Sequence, residues 1–160
     1  MSAAVSGCAG DISATPSGSI VPGTPVHPRA VNVILWDYLF APTPILLVPG
    51  ETVRFNIVNG GQLEHEFVLG DQAVQNAYEQ AEAAHQPALP GQTAPPFSLP
   101  PQLAGLRVVV ASGHSASVLY RVPTHGAPPL LECHIPGHLA AGMIGAIEYV
   151  SGQAPASATP

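Results

Sequence analysis

Between residues 30 and 150 the apolar and polar side chains mostly change places with the two-residue period of a strand rather than the 3.6-residue period of a helix. The run 30–40 sets Val31, Val33 and Leu35 against Asn32, Ile34 and Trp36, and the Pro42/Pro44 pair ends it. A short apolar run at 45–48 is closed by the turn signal Pro49-Gly50. Residues 51–59 alternate cleanly, with Val53, Phe55 and Ile57 on one side and Thr52, Arg54, Asn56 and Val58 on the other. Further strand-like runs follow the Gly60-Gly61 turn at 65–69, 107–111, 117–122, 130–133 and 144–150. Seven to eight short strands separated by Gly/Pro turns predict an all-β sandwich.

One segment departs from this rhythm. Asp71 is placed to cap a helix, and Val74, Ala77, Tyr78 and Ala81 recur at helical spacing until Pro87 stops the pattern. The expected organisation is therefore one domain over 29–150. It carries a helix-bearing insertion at 71–86 and a Pro-rich connector at 87–101. Residues 1–28 and 151–160 are rich in Ser, Pro, Gly and Ala without a hydrophobic period, and read as a flexible leader or tether and a flexible tail.

Composition narrows the function. The chain of 160 residues suits one domain with a real core, and 19 prolines with 16 glycines suit turns rather than a helical bundle. Four arginines, no lysine and ten carboxylates give a net charge of -6, which argues against nucleic acid as a partner. No apolar run reaches the length of a membrane span. Cys8 and Cys133 lie in dissimilar surroundings, one in the small polar leader and one in a dense apolar stretch, so a disulfide between them is not expected. The stretch Val5-Ser6-Gly7-Cys8-Ala9-Gly10-Asp11 resembles a bacterial lipoprotein processing site. It makes Cys8 a candidate for lipidation and membrane attachment, and favours an exported protein on the periplasmic or extracellular face of the cell membrane.

The chemistry concentrates in Cys133-His134-Ile135-Pro136-Gly137-His138-Leu139-Ala140-Ala141-Gly142-Met143. A thiol, an imidazole and a thioether follow one another at five-residue intervals on a loop that Pro136, Gly137 and Gly142 turn back on itself. Soft sulfur donors with imidazole select copper, and two imidazoles, a thiolate and a long axial Met describe an electron-transfer copper site. The second imidazole falls to His65, which opens a strand after the Gly60-Gly61 turn.

Three further stretches, Asp37-Tyr38-Leu39-Phe40-Ala41-Pro42, Val48-Pro49-Gly50-Glu51-Thr52-Val53-Arg54-Phe55 and Asn59-Gly60-Gly61-Gln62-Leu63-Glu64-His65-Glu66-Phe67, together with the final loop, resemble the plastocyanin/azurin-type cupredoxins. The resemblance covers roughly two-thirds of residues 30–150 and implies a Greek-key β-sandwich. It also implies one copper ion cycling between Cu⁺ and Cu²⁺ on His65, Cys133, His138 and Met143, and single-electron transfer rather than catalysis. A cytochrome or oxidase-like redox partner would dock near His138, which is expected nearest the surface within the rim of Leu139, Ala140 and Ala141.

The Cys133–Met143 loop also resembles the closing motif of multicopper oxidases. Glu132 precedes the Cys, however, and the chain contains no His-x-His pair, so the ligands of an oxygen-reducing cluster are missing. Small blue copper proteins often carry Asn after the first His, where this chain has Glu66. That carboxylate is expected to support the site from outside the ligand set rather than to approach the metal. His134 is expected to point away from copper and bond to backbone, while His27, His85, His114 and His125 read as ordinary surface residues. Zinc on the same Cys and His residues, with Glu66 or Glu132 as fourth ligand, is the competing metal, but it leaves Met143 idle. A copper carrier or resistance protein without redox turnover, and an oligomeric copper enzyme using His134, are the competing functions.

Overall fold

The alternation is realised as ten strands in the computed structural model, which describes residues 20–85 and 95–153. One sheet has the order β2 (Leu39–Ala41), β1 (Arg29–Trp36), β4 (Thr52–Asn59) and β7 (Ser115–Arg121). The other has β6 (Leu106–Val110), β5 (His65–Gly70), β8 (Leu130–Glu132) and β9 (Ile144–Gly145). A two-stranded pair joins β3 (Ile45–Leu47) in parallel to β10 (Ile147–Tyr149). Strands β1 and β4 are also parallel, which no tight hairpin can connect, so the chain crosses between sheets in the manner of a Greek key.

Ten strands replace the expected seven to eight for two local reasons. Within 30–40 the chain turns at Asp37-Tyr38, where Tyr38 adopts φ 66°, and folds back so that Trp36 pairs with Leu39. Within 144–150 it leaves one sheet for another at Ala146, because β9 pairs with β8 while β10 pairs with β3. The first break carries no Gly/Pro signal of its own, and the second has only Gly145 beside it inside an otherwise apolar run. The remaining strands lie within two residues of their expected limits.

The inward faces are those the alternation assigns. Val31, Val33 and Leu35 of β1 and Val53, Phe55 and Ile57 of β4 meet Phe67, Leu69 and Leu131 of the facing sheet in one core. Phe67 is the hinge of this packing, with Phe55 at 5.1 Å and Phe40 edge-on at 6.2 Å between ring centroids. Burying each such side chain contributes about 1.5–3 kcal/mol.

Strand β5 is buried on both faces. Its second face is covered by α1 (Gln72–Ala84), the expected insertion helix, whose Val74 and Tyr78 pack on Val68. Asp71 caps the helix by accepting the Val74 N–H at 3.0 Å. Residues 86–94, which take in the end of the expected insertion and the start of the expected connector, lie outside the described residues, and the connector's end leads into a 3₁₀ turn at Pro101–Leu103. The described part of the expected leader is tied down rather than free. Ile20 bridges to Gly152, and the Gly23 carbonyl accepts the Thr52 N–H at 2.9 Å. Residues 1–19, with the lipidation candidate Cys8, and 154–160 of the expected tail lie outside the described residues. Among the described residues no helix is long and apolar enough to cross a membrane.

Candidate metal centre

Three segments meet at one pole of the sandwich: the start of β5, the loop after β8, and the β1–β2 turn. Continuing the alternation of β8 sends Leu131 and Cys133 into the core and leaves Glu132 and His134 facing α1. The loop then closes through consecutive turns. The Ile135 carbonyl accepts from the His138 N–H (2.9 Å) and the Leu139 carbonyl from the Gly142 N–H (2.9 Å). Gly142 has φ 94°, which a side chain would make costly. Met143 N–H then donates to the His138 carbonyl at 3.0 Å, and Cys133 N–H to the Met143 carbonyl at 3.3 Å. The two five-residue intervals thereby become one closed loop with Cys133, His138 and Met143 joined through main-chain bonds, and all three side chains are buried.

His65 completes the cluster from β5. Its Nδ1 lies 3.2 Å from Nδ1 of His138, which in turn lies 3.4 Å from Sγ of Cys133. The ligand atoms of the three residues fall within 4.8 Å of one another, and they form the sole group of three or more His, Cys, Asp or Glu donors found among the described residues. Imidazole and thiolate bonds to a first-row ion such as zinc run about 2.0–2.3 Å, so donors sharing one ion stand roughly 3–4 Å apart. The donor set fits an ion without rearrangement of the backbone.

The electrostatics favour the same conclusion. Burial pushes the Cys133 thiol up to about 12, against the opposing pull of the Glu66 and Ile135 N–H groups on the sulfur. Burial, with His65 beside it, holds the His138 imidazole below its ordinary value. His138 Nε2 is buried without a hydrogen-bond partner. The Nδ1 atoms of His65 and His138 and the Cys133 sulfur face one another in this buried space, and a cation bound at these three atoms would take the place of the thiol proton.

Glu66 takes no part in the cluster through its carboxylate, which turns to the helix side and bonds Arg107 Nε at 2.9 Å. Its main-chain N–H approaches Cys133 Sγ at 3.4 Å. Burial raises this carboxyl to about 7 despite the neighbouring Arg107 guanidinium. Arg107 also reaches Glu82 of α1 at 3.1 Å and lies over the rings of Tyr78 and Phe97. Glu132 lies 3.6 Å from His134 Nε2. Neither carboxylate that a zinc site would draw upon stands among the donors.

One expectation about the histidines needs correction. His134 does point away from the cluster, but its partners are side chains of α1 rather than backbone: Gln75 Oε1 at 2.8 Å and Glu79 Oε2 at 2.9 Å. The insertion helix, which has no readable purpose in the sequence, supplies both. His138 is the most exposed of the four expected ligands, at 2% against 0% for His65, Cys133 and Met143, although the Tyr38 ring packs edge-on against it at 5.2 Å and 88°.

Sequence reasoning assigned no part at this pole to Asp37, Tyr38 or Asn59. Buried Asn59 ties the 59–63 loop by donating to the Leu63 and Val110 carbonyls (2.8 and 2.7 Å) and accepting from Gly61 N–H (2.9 Å). Asp37 receives the N–H groups of Gln62 and Leu63, and its Oδ1 lies 3.1 Å from His65 Nε2. The Leu63 N–H, with His65 and Gln62 adding to it, holds its carboxyl below the usual range. The available signal was a charged residue interrupting a strand pattern between two aromatics.

A two-sheet sandwich of this topology with a buried His, Cys, His cluster at one pole defines a cupredoxin, a copper protein. The chain is 38% identical over 120 residues to the copper-resistant cuproprotein CopI of Rubrivivax gelatinosus, and 30% identical over 141 residues to that of Pseudomonas aeruginosa. The chain belongs to this CopI cuproprotein family. These matches take in 74% and 73% of this chain, and 65% and 74% of the two relatives' lengths, so the chain spans slightly less than two-thirds of the first. Among solved structures, auracyanin B superposes with a TM-score of 0.60 at 30% identity, covering 82% of this chain and 94% of that one. No protein-family profile matches the chain.

Proposed function

We propose that His65, Cys133, His138 and Met143 hold one copper ion and that the protein passes single electrons between redox partners outside the cytoplasm. The observation that carries this reading is the convergence of two imidazole Nδ1 atoms and one thiol within 4.8 Å in a buried pole. Copper bound there supplies a one-electron couple between Cu(I) and Cu(II). The residues do the rest. Cys133 would bind as the thiolate, its proton leaving to solvent, His65 and His138 would offer their Nδ1 lone pairs, and Met143 would add a weak thioether donor. The closed loop and the two strands keep these donors in place, so little reorganisation accompanies a change of charge.

Because His138 lies beneath Tyr38 and next to partly buried Leu139, a cytochrome or oxidase-like partner would dock over this rim, which Ala140 and Ala141 extend into solvent. Export, with lipid attachment through Cys8, belongs to the same proposal. Electron transfer rather than turnover of a substrate is the reading favoured, because His134, the imidazole that a second copper centre would draw upon, has side-chain oxygens of α1 at both ring nitrogens.

The relatives from Rubrivivax gelatinosus and Pseudomonas aeruginosa are copper-resistant cuproproteins, which favours a second reading in which the site sequesters or delivers copper. One experiment addresses both. The protein is loaded with Cu(II), and its visible and spin-resonance spectra are compared with those of Cys133→Ser. Intense colour with a small copper hyperfine splitting, lost in the variant, is expected. A pale protein indifferent to Cys133 would refute the ligand set. In the same samples, slow release of copper to a chelator and electron exchange with a soluble cytochrome that slows on Leu139→Glu support the carrier of electrons. Rapid release without exchange supports delivery.

A further inference from the structure

Asp37 stands at the tip of the β1–β2 turn, where its Oδ1 lies 3.1 Å from Nε2 of His65. This is the ring nitrogen on the opposite side from the donor cluster, since Nδ1 of the same ring faces His138 at 3.2 Å. A carboxylate only accepts, so the contact is a hydrogen bond when Nε2 carries the hydrogen, and the neutral ring then has its lone pair on Nδ1. The carboxylate is itself held in one orientation. Gln62 N–H reaches its two oxygens at 3.0 and 3.2 Å, and Leu63 N–H reaches Oδ1 at 3.1 Å. Gly61 makes the approach possible, because a Cβ there would stand 2.4 Å from Asp37 Oδ1 and 3.0 Å from His65 Nε2. Tyr38, the next residue, lies against the other imidazole. One turn thus touches both rings, Asp37 at the His65 nitrogen away from the cluster and Tyr38 edge-on at His138.

We propose that Asp37 is a positioning residue of the copper centre: its carboxylate fixes the tautomer and plane of His65, strengthens Nδ1 as a donor, and so favours Cu(II) over Cu(I). The inference rests on the reading of His65 as a copper ligand. Its physical basis is that a negative charge behind a ligand stabilises the more highly charged ion more, and that partners of this kind set the orientation and basicity of a ligating imidazole. Asp37 keeps part of its surface in solvent, its side chain being 35% exposed, while the ring it supports is fully buried.

The test compares copper-loaded wild type, Asp37→Asn and Asp37→Ala by Cu(II) affinity, reduction potential and visible spectrum. Asn keeps an oxygen for the Gln62 and Leu63 N–H groups and removes only the charge, whereas Ala removes both. For Asp37→Asn we expect Cu(II) affinity to fall about 10–100-fold, with Cu(I) affinity falling less and the thiolate-to-copper absorption retained. A tenfold fall in the ratio of Cu(II) to Cu(I) affinity corresponds to a potential raised by about 59 mV. An unchanged affinity and potential in Asp37→Asn overturns the inference, whether or not Asp37→Ala weakens copper, since Asp37 would then only cap the 61–63 loop. A wild type without thiolate-to-copper absorption would overturn the ligand reading itself, and this inference with it.

Discussion

Cys133 and His134 are consecutive residues with nearly equal burial, 0% and 3% exposed, yet they face opposite kinds of surroundings. On the Cys133 side the polar atoms are short of partners. The thiol is met by main-chain N–H groups, two imidazole nitrogens face each other, and His138 Nε2 has no partner. On the His134 side every ring nitrogen has a side-chain oxygen within 2.9 Å, and Arg107 draws Glu66 and Glu82 together nearby. Both sides contain histidine and sulfur or carboxylate, the residue types of metal sites. Saturation of the histidine rings separates them, although Glu66 Oε2 beside Arg107 is also buried without a hydrogen-bond partner: rings met at both nitrogens hold a fold together, and rings that face only one another and a thiol are placed for a ligand.

The sharpest break of this contrast is His138→Ala. Copper affinity is expected to fall by more than the roughly 10–100-fold that loss of a supporting residue costs, because a direct donor is lost. Competition with a chelator measures it, and an affinity within tenfold of wild type would mean that the crowded side is not the copper side. Next in size is Arg107→Met, which strips the guanidinium from two buried carboxylates. Its expected cost is about 3 kcal/mol of unfolding free energy in urea, the lower end of the range for breaking a buried pair, since Arg107 keeps some solvent contact. The thiolate-to-copper band should persist in this variant. Its loss would show that the saturated side also builds the site, through the Glu66 N–H that touches Cys133.

How far the sequence reached follows the same division. Period-two alternation located β1 and β4 and the inward set Val31, Val33, Leu35, Val53, Phe55 and Ile57, since each of these strands has one face in the core, and the Gly60-Gly61 turn located the start of β5. The Cys133, His138 and Met143 intervals were legible because a tight loop makes short spacing equivalent to proximity. Long-range polar contacts leave no such trace. Gln75 and Glu79 reach His134 across more than fifty residues, and Arg107 reaches Glu66 across forty-one. These side chains read as the polar faces of a helix and a strand. Asp37 was quoted only as part of a resemblance, and its twenty-eight-residue reach to His65 depends on a turn at Tyr38 that carries no Gly or Pro.

The smallest expected effect tests the contrast from the quiet side. His134→Ala removes the ring that Gln75 and Glu79 hold, and leaves the Gln75 Oε1 acceptor in a buried position, because the Gln75 amide stays fixed by the Val68 and Leu130 carbonyls. An acceptor stranded in this way costs about 1–3 kcal/mol, read as a lower urea midpoint of the metal-free protein. The exposed Glu79 end of the network returns to water at little cost. Copper affinity and the visible band should stay at wild-type values, although the altered residue adjoins the one that gives the band its intensity. If the band shifts or copper weakens while stability holds, the helix side is tuning the metal, and the division drawn between Cys133 and His134 is wrong.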